Sequence, residues 1–371
     1  MTMGEKQRTA GGLEGVEVAD TALSLVDGER GRLLVAGHDI EDLAGRASFE
    51  GVCALLWAAD RGGEPAGDLR DRLGEARRAA FTLLPHLGDA LRLPDGMDAL
   101  RAATAHLRPA GDELESFTSV TAAVAVFAAA WARLRAGQEP LAPDPRLGHA
   151  ADYVRMAAGE CSPAVARALD TYLVTIADHG LNASTFAARI VASTGSDLVS
   201  AVVAGIGALK GPLHGGAPGP VLAMIEAVRR PERAEEWLTA ELAAGRRIMG
   251  MGHRVYRVRD PRAAVLERAI ERLEDAGVAQ PRLALGRAVE RSAERLLRER
   301  YPARPLRANV EFYTALLLDA VGLPRELFTP TFAVGRVAGW CAHVREQRVS
   351  GRLIRPSARY VGPLPSAPPP R

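Results

Sequence analysis

The stretch LKGPLHGGA, residues 209–217, marks a break between two helical regions and isolates one histidine there. The helical pattern before it stops at Gly211-Pro212, because proline cannot continue a helix. Two glycines follow His214, and they allow a ligand or another segment to approach the main chain closely. A histidine at such a break is better placed for chemistry than for packing, so His214 is a candidate site residue.

Two further histidines have the same setting. His253 lies in IMGMGHRVY, residues 248–256, and His179 lies in ADHGLNAS, residues 177–184. Each histidine alone is equally compatible with a loop or capping role. Three of the eight histidines at glycine-punctuated breaks, in a chain rich in arginine, favour a site that binds an anion and transfers protons.

The sequence predicts no metal site. Zinc ligands usually come at short spacing, as in H-E-x-x-H or C-x-x-C, and the chain has neither pattern. Cys53, Cys161 and Cys341 are far apart and odd in number. We interpret them as small buried hydrophobic residues in a reducing compartment.

Composition bounds the class of protein. The 371 residues are enough for two domains, or for one large domain with an insertion. A formal net charge of +2 argues against nucleic-acid binding, which needs a basic stripe. The longest apolar run, residues 120–132, is shorter than a bilayer span and predicts a buried core helix. We therefore expect a cytoplasmic protein without membrane contact, with a poorly ordered proline-rich tail over residues 363–370.

Most periodic segments have the helical period, and two apolar stripes follow i, i+3, i+4, i+7 closely. The stripes consist of Leu169, Tyr172, Leu173 and Ile176, and of Leu266, Ala269, Ile270 and Leu273. Asp260-Pro261 opens the second helix as cap and first-turn proline, and Gly277 closes it. Residues 196–210 and 332–348 each contain two glycines in an apolar helix, which predicts central helices in close contact with their neighbours.

One β element is predicted near the start. Residues 21–26 and 32–35 alternate around the turn Asp27–Gly31, as in a β-hairpin. No GxGxxG motif follows a strand, so a Rossmann nucleotide site is not expected. The predicted fold class is mainly α with a small N-terminal β-hairpin.

Together, the motifs resemble the citrate synthase family over essentially the whole chain. The matching stretches, in order, are GLEGVEVADTALSLVDGERGRLLVAGHDIEDLA, ADHGLNASTFAARIVAS, GALKGPLHGGA, RRIMGMGHRVYRVRDPRA, NVEFYTALLL, FAVGRVAGWCAHVREQ and RLIRPSARYVGP. The resemblance implies a two-domain helical homodimer of the shorter bacterial and archaeal type. It places a large domain in residues 1–214 and 316–371, the latter with a C-terminal arm reaching the partner subunit, and a small domain that closes over substrate in residues 215–315.

The resemblance also implies a reaction, in which acetyl-CoA and oxaloacetate give citrate and CoA, with acetyl-CoA as a substrate and no cofactor. Glu311 would take a proton from the acetyl methyl group. His214 would donate a hydrogen bond to the thioester carbonyl, because a carboxylate cannot remove that proton unless the enolate oxygen is stabilised. His253 would protonate the oxaloacetate ketone.

Substrate-binding residues follow from the same motifs. The oxaloacetate carboxylates would be bound by His179, Arg262, Arg336 and Arg355, with Arg355 donated by the other subunit. Coenzyme A contacts would come from Arg257, Gly250, Met251 and Gly252. Lys210 is compatible with a phosphate contact and equally with a helix C-terminal role.

Two departures from the family pattern accompany the resemblance. Glu311 occupies a position that is commonly aspartate, and Pro218-Gly219 replaces two polar residues beside the catalytic loop. Within the family the alternative function is 2-methylcitrate synthase, which uses propionyl-CoA. Outside enzyme function, the alternative is a catalytically silent paralogue acting as a binding or regulatory dimer. A metal-dependent hydrolase is a more distant alternative.

Overall fold

In a computed structural model of the chain, the described residues are 12–13, 15–59, 69–108, 111–216, 218–304 and 306–363. Within these ranges the strands are β1 (Ser24–Asp27), β2 (Arg32–Val35) and β3 (His38–Asp39). The helices are α1 (Ile40–Leu43), α2 (Phe49–Ala58), α3 (Arg70–Phe81), α4 (Gly96–Thr104), α5 (Glu113–Arg135), α6 (His149–Ala158), α7 (Pro163–Ile176), α8 (Ala183–Ser193), α9 (Leu198–Leu209), α10 (Pro218–Val228), α11 (Ala234–Ala243), α12 (Pro261–Asp275), α13 (Pro281–Arg300), α14 (Val310–Ala320) and α15 (Phe328–Ser350). The predicted fold class, mainly α with a small N-terminal sheet, is confirmed.

The predicted hairpin is formed by β1 and β2, which pair antiparallel with Ser24 opposite Val35 and Asp27 opposite Arg32. Asp27, predicted to be in the turn, is the last residue of β1, and the strand begins at Ser24 rather than at residue 21. The unpredicted strand β3 pairs antiparallel with β2. Its two residues are too few to show an alternating pattern, so it could not be read from periodicity.

Both predicted helical stripes are buried. The stripe residues are at most 1% exposed; they are Leu169, Tyr172, Leu173 and Ile176 on α7, and Leu266, Ala269, Ile270 and Leu273 on α12. Asp260 caps α12 by accepting the main-chain N–H of Arg262 at 3.0 Å. The helix ends at Asp275, and Gly277 follows with a φ of +82°. The cap, the first-turn proline and the terminating glycine thus act as predicted.

Helix α15 runs through the centre of the core and packs against α2, α4, α5, α7, α8 and α9. Its glycines allow close packing on α7. A Cβ atom at Gly335 would lie 2.3 Å from Cδ1 of Ile176, and one at Gly339 would lie 2.3 Å from the carbonyl oxygen of Ala177. The close approach predicted for this helix is confirmed at both glycines, and it holds the end of α7 against the middle of α15.

Helix α9 shows the predicted close approach at only one of its two glycines. A Cβ atom at Gly205 would lie 3.0 Å from the Trp340 ring. At Gly207 no atom of the described residues lies within 4 Å of the position that a Cβ would take. The sequence pattern marks the helix as central but does not show which glycine faces a neighbour.

The predicted core helix over residues 120–132 extends over Glu113–Arg135. It is the one helix of the described chain that is long and apolar enough to cross a membrane, and 83% of its apolar window is buried inside the protein. Cys53 and Cys341 are buried as expected, but Cys161 is partly exposed, because it lies in the loop before α7. Of the predicted proline-rich tail, residues 364–370 lie outside the described residues.

Candidate active site

The three candidate histidines lie at breaks between helices, and two of them lie close together. His179 follows α7 and His253 precedes α12; their rings pack edge to face with centroids 5.6 Å apart. The Tyr256 hydroxyl lies 3.1 Å from Nε2 of His179, and the Tyr256 ring is 4.8 Å from that of His253. His214, after α9, packs against Phe332 of α15 with ring centroids 6.4 Å apart.

His253 is held in one tautomer by the backbone that follows it. The main-chain N–H groups of Val255 and Tyr256 both approach Nδ1, at 3.0 and 3.2 Å. A nitrogen that accepts these bonds carries no proton, so the proton of the neutral ring is on Nε2. Burial and the positive charge of Arg262 together lower the pKa of His253 to about 4, although Asp260 opposes the shift. His253 is therefore an uncharged imidazole with a single donor.

His214 is held in the opposite tautomer. The main-chain N–H of Ser184 donates to its Nε2 at 3.3 Å, and the Ser184 Oγ lies 2.9 Å from the same nitrogen. The Ser184 Oγ in turn accepts from Nε1 of Trp340 at 3.2 Å. Because Nε2 accepts, the proton of the neutral ring is on Nδ1. Burial and the charge of Arg336 lower the pKa of His214 to about 4, so this imidazole is also uncharged.

Arg262 lies in the first turn of α12, where a positive side chain opposes the helix dipole. The buried carboxylate of Asp260 offsets this by accepting from Nε at 3.0 Å and from Nη2 at 2.7 Å. The second oxygen of Asp260 also accepts the main-chain N–H of Val310, at 3.2 Å. One carboxylate thus orients Arg262 and holds the start of α14.

Arg336 lies in the middle of α15 and is 1% exposed. Its Nε donates at 2.6 Å to the carbonyl of Ile176 at the end of α7, and its guanidinium lies 4.9 Å from the Phe332 ring centroid. Burial lowers the pKa of Arg336 to about 10, although Asp178 opposes the shift. Within the described ranges no carboxylate forms an ion pair with Arg336, so its charge is available to a bound anion.

Glu311 lies in the first turn of α14, behind the cap residue Asn309. The side-chain oxygen of Asn309 accepts the Glu311 main-chain N–H at 3.0 Å. The Glu311 carboxyl group is buried, and its Oε2 has no hydrogen-bond partner in the part of the chain that the structure describes. Burial raises the pKa of Glu311 from 4.5 to about 8, even though Arg262 and Arg336 lower it. The group is therefore a poorly solvated acid held near two guanidinium groups.

A short antiparallel contact joins the turn before His253 to the segment that leads into α14. The Gly252 N–H donates to the carbonyl of Arg307 at 2.7 Å, and the carbonyl of Gly250 accepts the Asn309 N–H at 3.0 Å. Met251 forms an isolated bridge within this contact. Both glycines have positive φ, +74° and +86°, which favours glycine there. The Gly252 N–H is thus engaged within the protein and is not offered to a phosphate.

Three predicted contact residues lie outside the buried group. Arg355 is exposed in the segment after α15, where the neighbouring Ile354 N–H donates to Ser193 at the far end of α8. Arg257 is exposed beside the hairpin, and its main-chain N–H donates to a hairpin carbonyl at 2.9 Å. Lys210 pairs with Asp98 at 2.5 Å. In a single chain these three side chains are therefore not part of the buried group.

The departure at Pro218-Gly219 forms the start of a helix. Pro218 is the first residue of α10 and is buried. Proline suits this position, because the first N–H groups of a helix have no partner within it. The change supplies a helix start and adds no polar side chain beside His214.

Sequence reasoning missed several contacts of the site. Tyr256 is three residues after His253, and Ser184 is five residues after His179, so both lie within the stretches that carried the histidines. Asp260 was recognised as the α12 cap but not as a partner of α14. Position alone does not show that these side chains meet, because each contact depends on how separate helices pack.

Taken together, the described residues link three uncharged imidazoles and one buried carboxyl group electrostatically to two buried guanidinium groups. The residues are His179, His214, His253, Arg262, Arg336 and Glu311. In the same described part of the chain, no group of three or more His, Cys, Asp or Glu side chains is arranged to hold a metal ion. Guanidinium groups bind carboxylates, and the imidazoles with the carboxyl group transfer protons. The arrangement is the kind found in enzymes that carry out acid–base chemistry on small anionic molecules.

Comparison with known proteins identifies the family. The profile described as "Citrate synthase, C-terminal domain" matches residues 12–357. A citrate synthase of Haloferax volcanii is 41% identical over 370 residues, covering 95% of each chain. A 2-methylcitrate synthase of Mycobacterium tuberculosis is 37% identical, covering 97% of this chain and 92% of the relative. The chain belongs to the citrate synthase family, as its motifs predicted, and is accordingly an acyltransferase.

Solved structures agree with this assignment. The citrate synthase of Thermoplasma acidophilum, solved as a ternary complex with carboxymethyl coenzyme A and oxaloacetate, superposes with a TM-score of 0.85 at 28% identity. The match covers 97% of both chains. The mainly helical citrate synthase fold thus extends over nearly the whole of this chain.

Proposed function

We propose that this enzyme condenses acetyl-CoA with oxaloacetate and water to give citrate and CoA, the reaction that feeds acetyl groups into the tricarboxylic acid cycle. The observation that carries the proposal is that His214 and His253 are held in opposite tautomers. His214 presents a donor at Nδ1 and His253 presents one at Nε2, both on uncharged rings, and the same two guanidinium groups that interact with them also interact with the buried carboxyl group of Glu311. A reaction that develops negative charge on two different oxygens needs two such donors.

The two buried arginines, Arg262 and Arg336, bind oxaloacetate. Arg262, oriented by Asp260, and Arg336, without an ion-pair partner in the described chain, provide planar donor groups suited to two carboxylates. His179 lies beside both guanidinium groups, which lower its pKa together with burial. Its ring therefore stays uncharged and contributes a hydrogen bond rather than a charge.

The first chemical step is enolisation of acetyl-CoA. The carboxylate form of Glu311 removes a methyl proton while Nδ1 of His214 donates to the thioester carbonyl. A thioester α-proton is a very weak acid, so the two must act together. Because the pKa of Glu311 is raised to about 8, the base is a stronger proton acceptor than an ordinary carboxylate once it is ionised.

The second step forms the carbon–carbon bond. The enolate carbon attacks the ketone of oxaloacetate, and Nε2–H of His253 donates to the ketone oxygen as it becomes negative. The two-fold backbone contact at Nδ1 fixes this donor in place. Hydrolysis of the citryl thioester then releases citrate and CoA.

The larger assembly is also part of the proposal. Residues 215–315 would be a small domain that closes over substrate, hinged near His214 and near Glu311. The enzyme would be a homodimer in which Arg355 of one subunit completes the site of the other; its exposure in a single chain fits this role. Arg257, also exposed, would contact coenzyme A. Three free cysteines suit a cytoplasmic location, where thiols remain reduced.

Release of CoA, followed with a thiol reagent, tests the proposal. We expect oxaloacetate-dependent release with acetyl-CoA that survives strong chelation. Equal or higher catalytic efficiency with propionyl-CoA would favour 2-methylcitrate synthase, the function named for the Mycobacterium tuberculosis relative. One methylene provides only about 1–3 kcal/mol of discrimination, so the ratio of the two efficiencies has to be measured. No release with either thioester would favour a silent regulatory paralogue.

A further inference from the structure

Among the described residues, the proposed base and two buried hydroxyl groups near it each have an oxygen atom without a hydrogen-bond partner. In the described part of the chain, six buried side-chain polar atoms have no hydrogen-bond partner, and three of them are the Tyr172 hydroxyl, the Thr314 hydroxyl and Oε2 of Glu311. Buried polar atoms are normally paired, since an unpaired one costs about 1–3 kcal/mol. Three together at a reaction centre indicate contacts that form during function.

The three groups come from two helices that pack on each other. Glu311 and Thr314 are three residues apart on α14, which places them on one face of that helix. Tyr172 lies on α7, is fully buried, and α7 packs against α14. The sequence predicted Tyr172 only as a member of an apolar stripe, yet its polar end is at this contact between α7 and α14.

The phenol oxygen of Tyr172 interacts electrostatically with the other two groups. Burial raises the pKa of the Tyr172 hydroxyl well above its usual value, and the Glu311 carboxylate raises it further, whereas the Thr314 hydroxyl lowers it. The phenol therefore keeps its proton at every working pH. It acts as a donor and does not compete with Glu311 as a base.

The base itself needs such a donor. With a pKa of about 8, Glu311 is mostly protonated at neutral pH, and only its ionised form can remove a proton. A hydrogen bond donated to the carboxylate favours the charged form and lowers the pKa. The Asn309 cap binds the main chain of Glu311 and not its carboxylate, so the cap does not supply this bond.

We propose that Tyr172 is a positioning residue for the base: its hydroxyl, beside that of Thr314, donates to Oε2 of ionised Glu311 across the α7–α14 contact. This inference rests on the proposed function and deepens it. It also accounts for glutamate at a position that is commonly aspartate in the family. The additional methylene carries the carboxylate about 1 Å farther from the α14 backbone, toward α7.

The pH profile of kcat/KM in Tyr172→Phe tests the proposal, because this substitution removes one oxygen and keeps the ring. We expect the acid limb to move up by about one pH unit, with a loss of roughly tenfold at low pH and little change at high pH. The KM for oxaloacetate should stay the same. Thermal stability should change little, because the hydroxyl makes no hydrogen bond of good geometry within the described part of the chain. Thr314→Val should shift the same limb in the same direction.

Tyr153→Phe is a matched control. Tyr153 is also buried, but its hydroxyl lies 2.8 Å from Oγ1 of Thr331 and is hydrogen-bonded there. Its loss should lower thermal stability and leave the pH profile unchanged. An unchanged acid limb in Tyr172→Phe, or an equal shift in Tyr153→Phe, would overturn the inference.

The inference and the proposed function can fail separately. An active wild-type enzyme whose acid limb is insensitive to Tyr172→Phe refutes the positioning role alone. If wild type releases no CoA, the proposed function fails, and the titration of the Glu311 carboxyl group is then followed directly by infrared difference spectroscopy with Glu311→Gln as the blank. A carboxyl pKa that is equal in wild type and Tyr172→Phe overturns the inference in that case as well.

Discussion

The side-chain amide of Asn309 donates a 2.8 Å hydrogen bond to the carbonyl of Gly252. The same side chain caps α14 through its oxygen, which accepts the main-chain N–H of Glu311 at 3.0 Å. One residue therefore connects the turn that carries His253 to the helix that carries Glu311. Both proposed proton-transfer groups are positioned by a residue that itself has no acid–base function.

Asn309→Ser separates these two roles, because serine is also a good cap but lacks the amide donor. We expect thermal stability within about 1 kcal/mol of wild type. A misplacement of about 1 Å at the reaction centre costs on the order of 100-fold, so kcat should fall by about tenfold to 100-fold. Asp112→Ala, which removes the cap of α5, should lower stability without this loss of kcat. Equal kcat in wild type and Asn309→Ser would show that the amide bond is dispensable.

Glu311→Gln should abolish enolisation, because the amide keeps the shape of the side chain but cannot accept the methyl proton. The measurement is exchange of the acetyl-CoA methyl protons with solvent deuterium in the presence of oxaloacetate. Oxaloacetate affinity should stay nearly unchanged. Glu311→Asp should also lose activity, since its carboxylate falls short of the position that glutamate reaches. Exchange at the wild-type rate in Glu311→Gln would remove this residue from the mechanism.

Glu311 should also make stability depend on pH. Its folded-state pKa, about 8, is above the 4.5 of the unfolded chain. A group whose pKa is raised on folding contributes its full stability below the unfolded pKa and loses it as pH rises through the folded pKa. Between about pH 5 and pH 9, the free energy of unfolding of Glu311→Gln, measured with urea, should therefore increase relative to that of wild type by on the order of a few kcal/mol. Glu236→Gln, on an exposed carboxylate, should show no such trend.

The tautomer of His253 predicts a difference between two amide substitutions. The amide nitrogen of glutamine can occupy the position of Nε2, whereas asparagine reaches only the position of Nδ1. Both variants lack the acid and should lose about 10²- to 10⁴-fold in kcat. His253→Gln should retain polarisation of the bound ketone, measured by its carbonyl stretching frequency, and His253→Asn should not. Equal frequencies in the two variants would contradict the assignment of the donor to Nε2.

If Arg355 of one subunit completes the site of the other, two inactive variants should complement each other. Co-expression of Arg355→Ala with His214→Ala should restore part of the activity, because one site of each hybrid dimer keeps both residues. Each variant alone should be nearly inactive. A control pair of His253→Ala with His214→Ala should recover nothing, since both residues come from one chain. Purified hybrids without activity would show that each site is built within a single subunit.

Short-range patterns in the sequence determined much of the fold. The stripes of α7 and α12, the cap at Asp260 and the hairpin around Asp27–Gly31 follow from spacing and local propensity, which depend on neighbouring residues only. The positions of the three histidines at helix breaks follow from glycine and proline in the same way. Family resemblance then singled out Arg262 and Arg336, although arginine supplies all but two of the 47 Lys and Arg residues.

Only the tertiary structure decided which groups meet and in which protonation state. The second role of Asp260 joins residues 50 positions apart, and the contact of Trp340 with Ser184 joins residues 156 positions apart. Neither distance is a period of a helix or strand, so no local pattern encodes it. The neutral imidazoles and the raised pKa of Glu311 come from burial, which exists only once α7, α14 and α15 have packed together. The sequence thus determined which residue types are present at the site. Their protonation states were determined by the exclusion of water from the space between the packed helices.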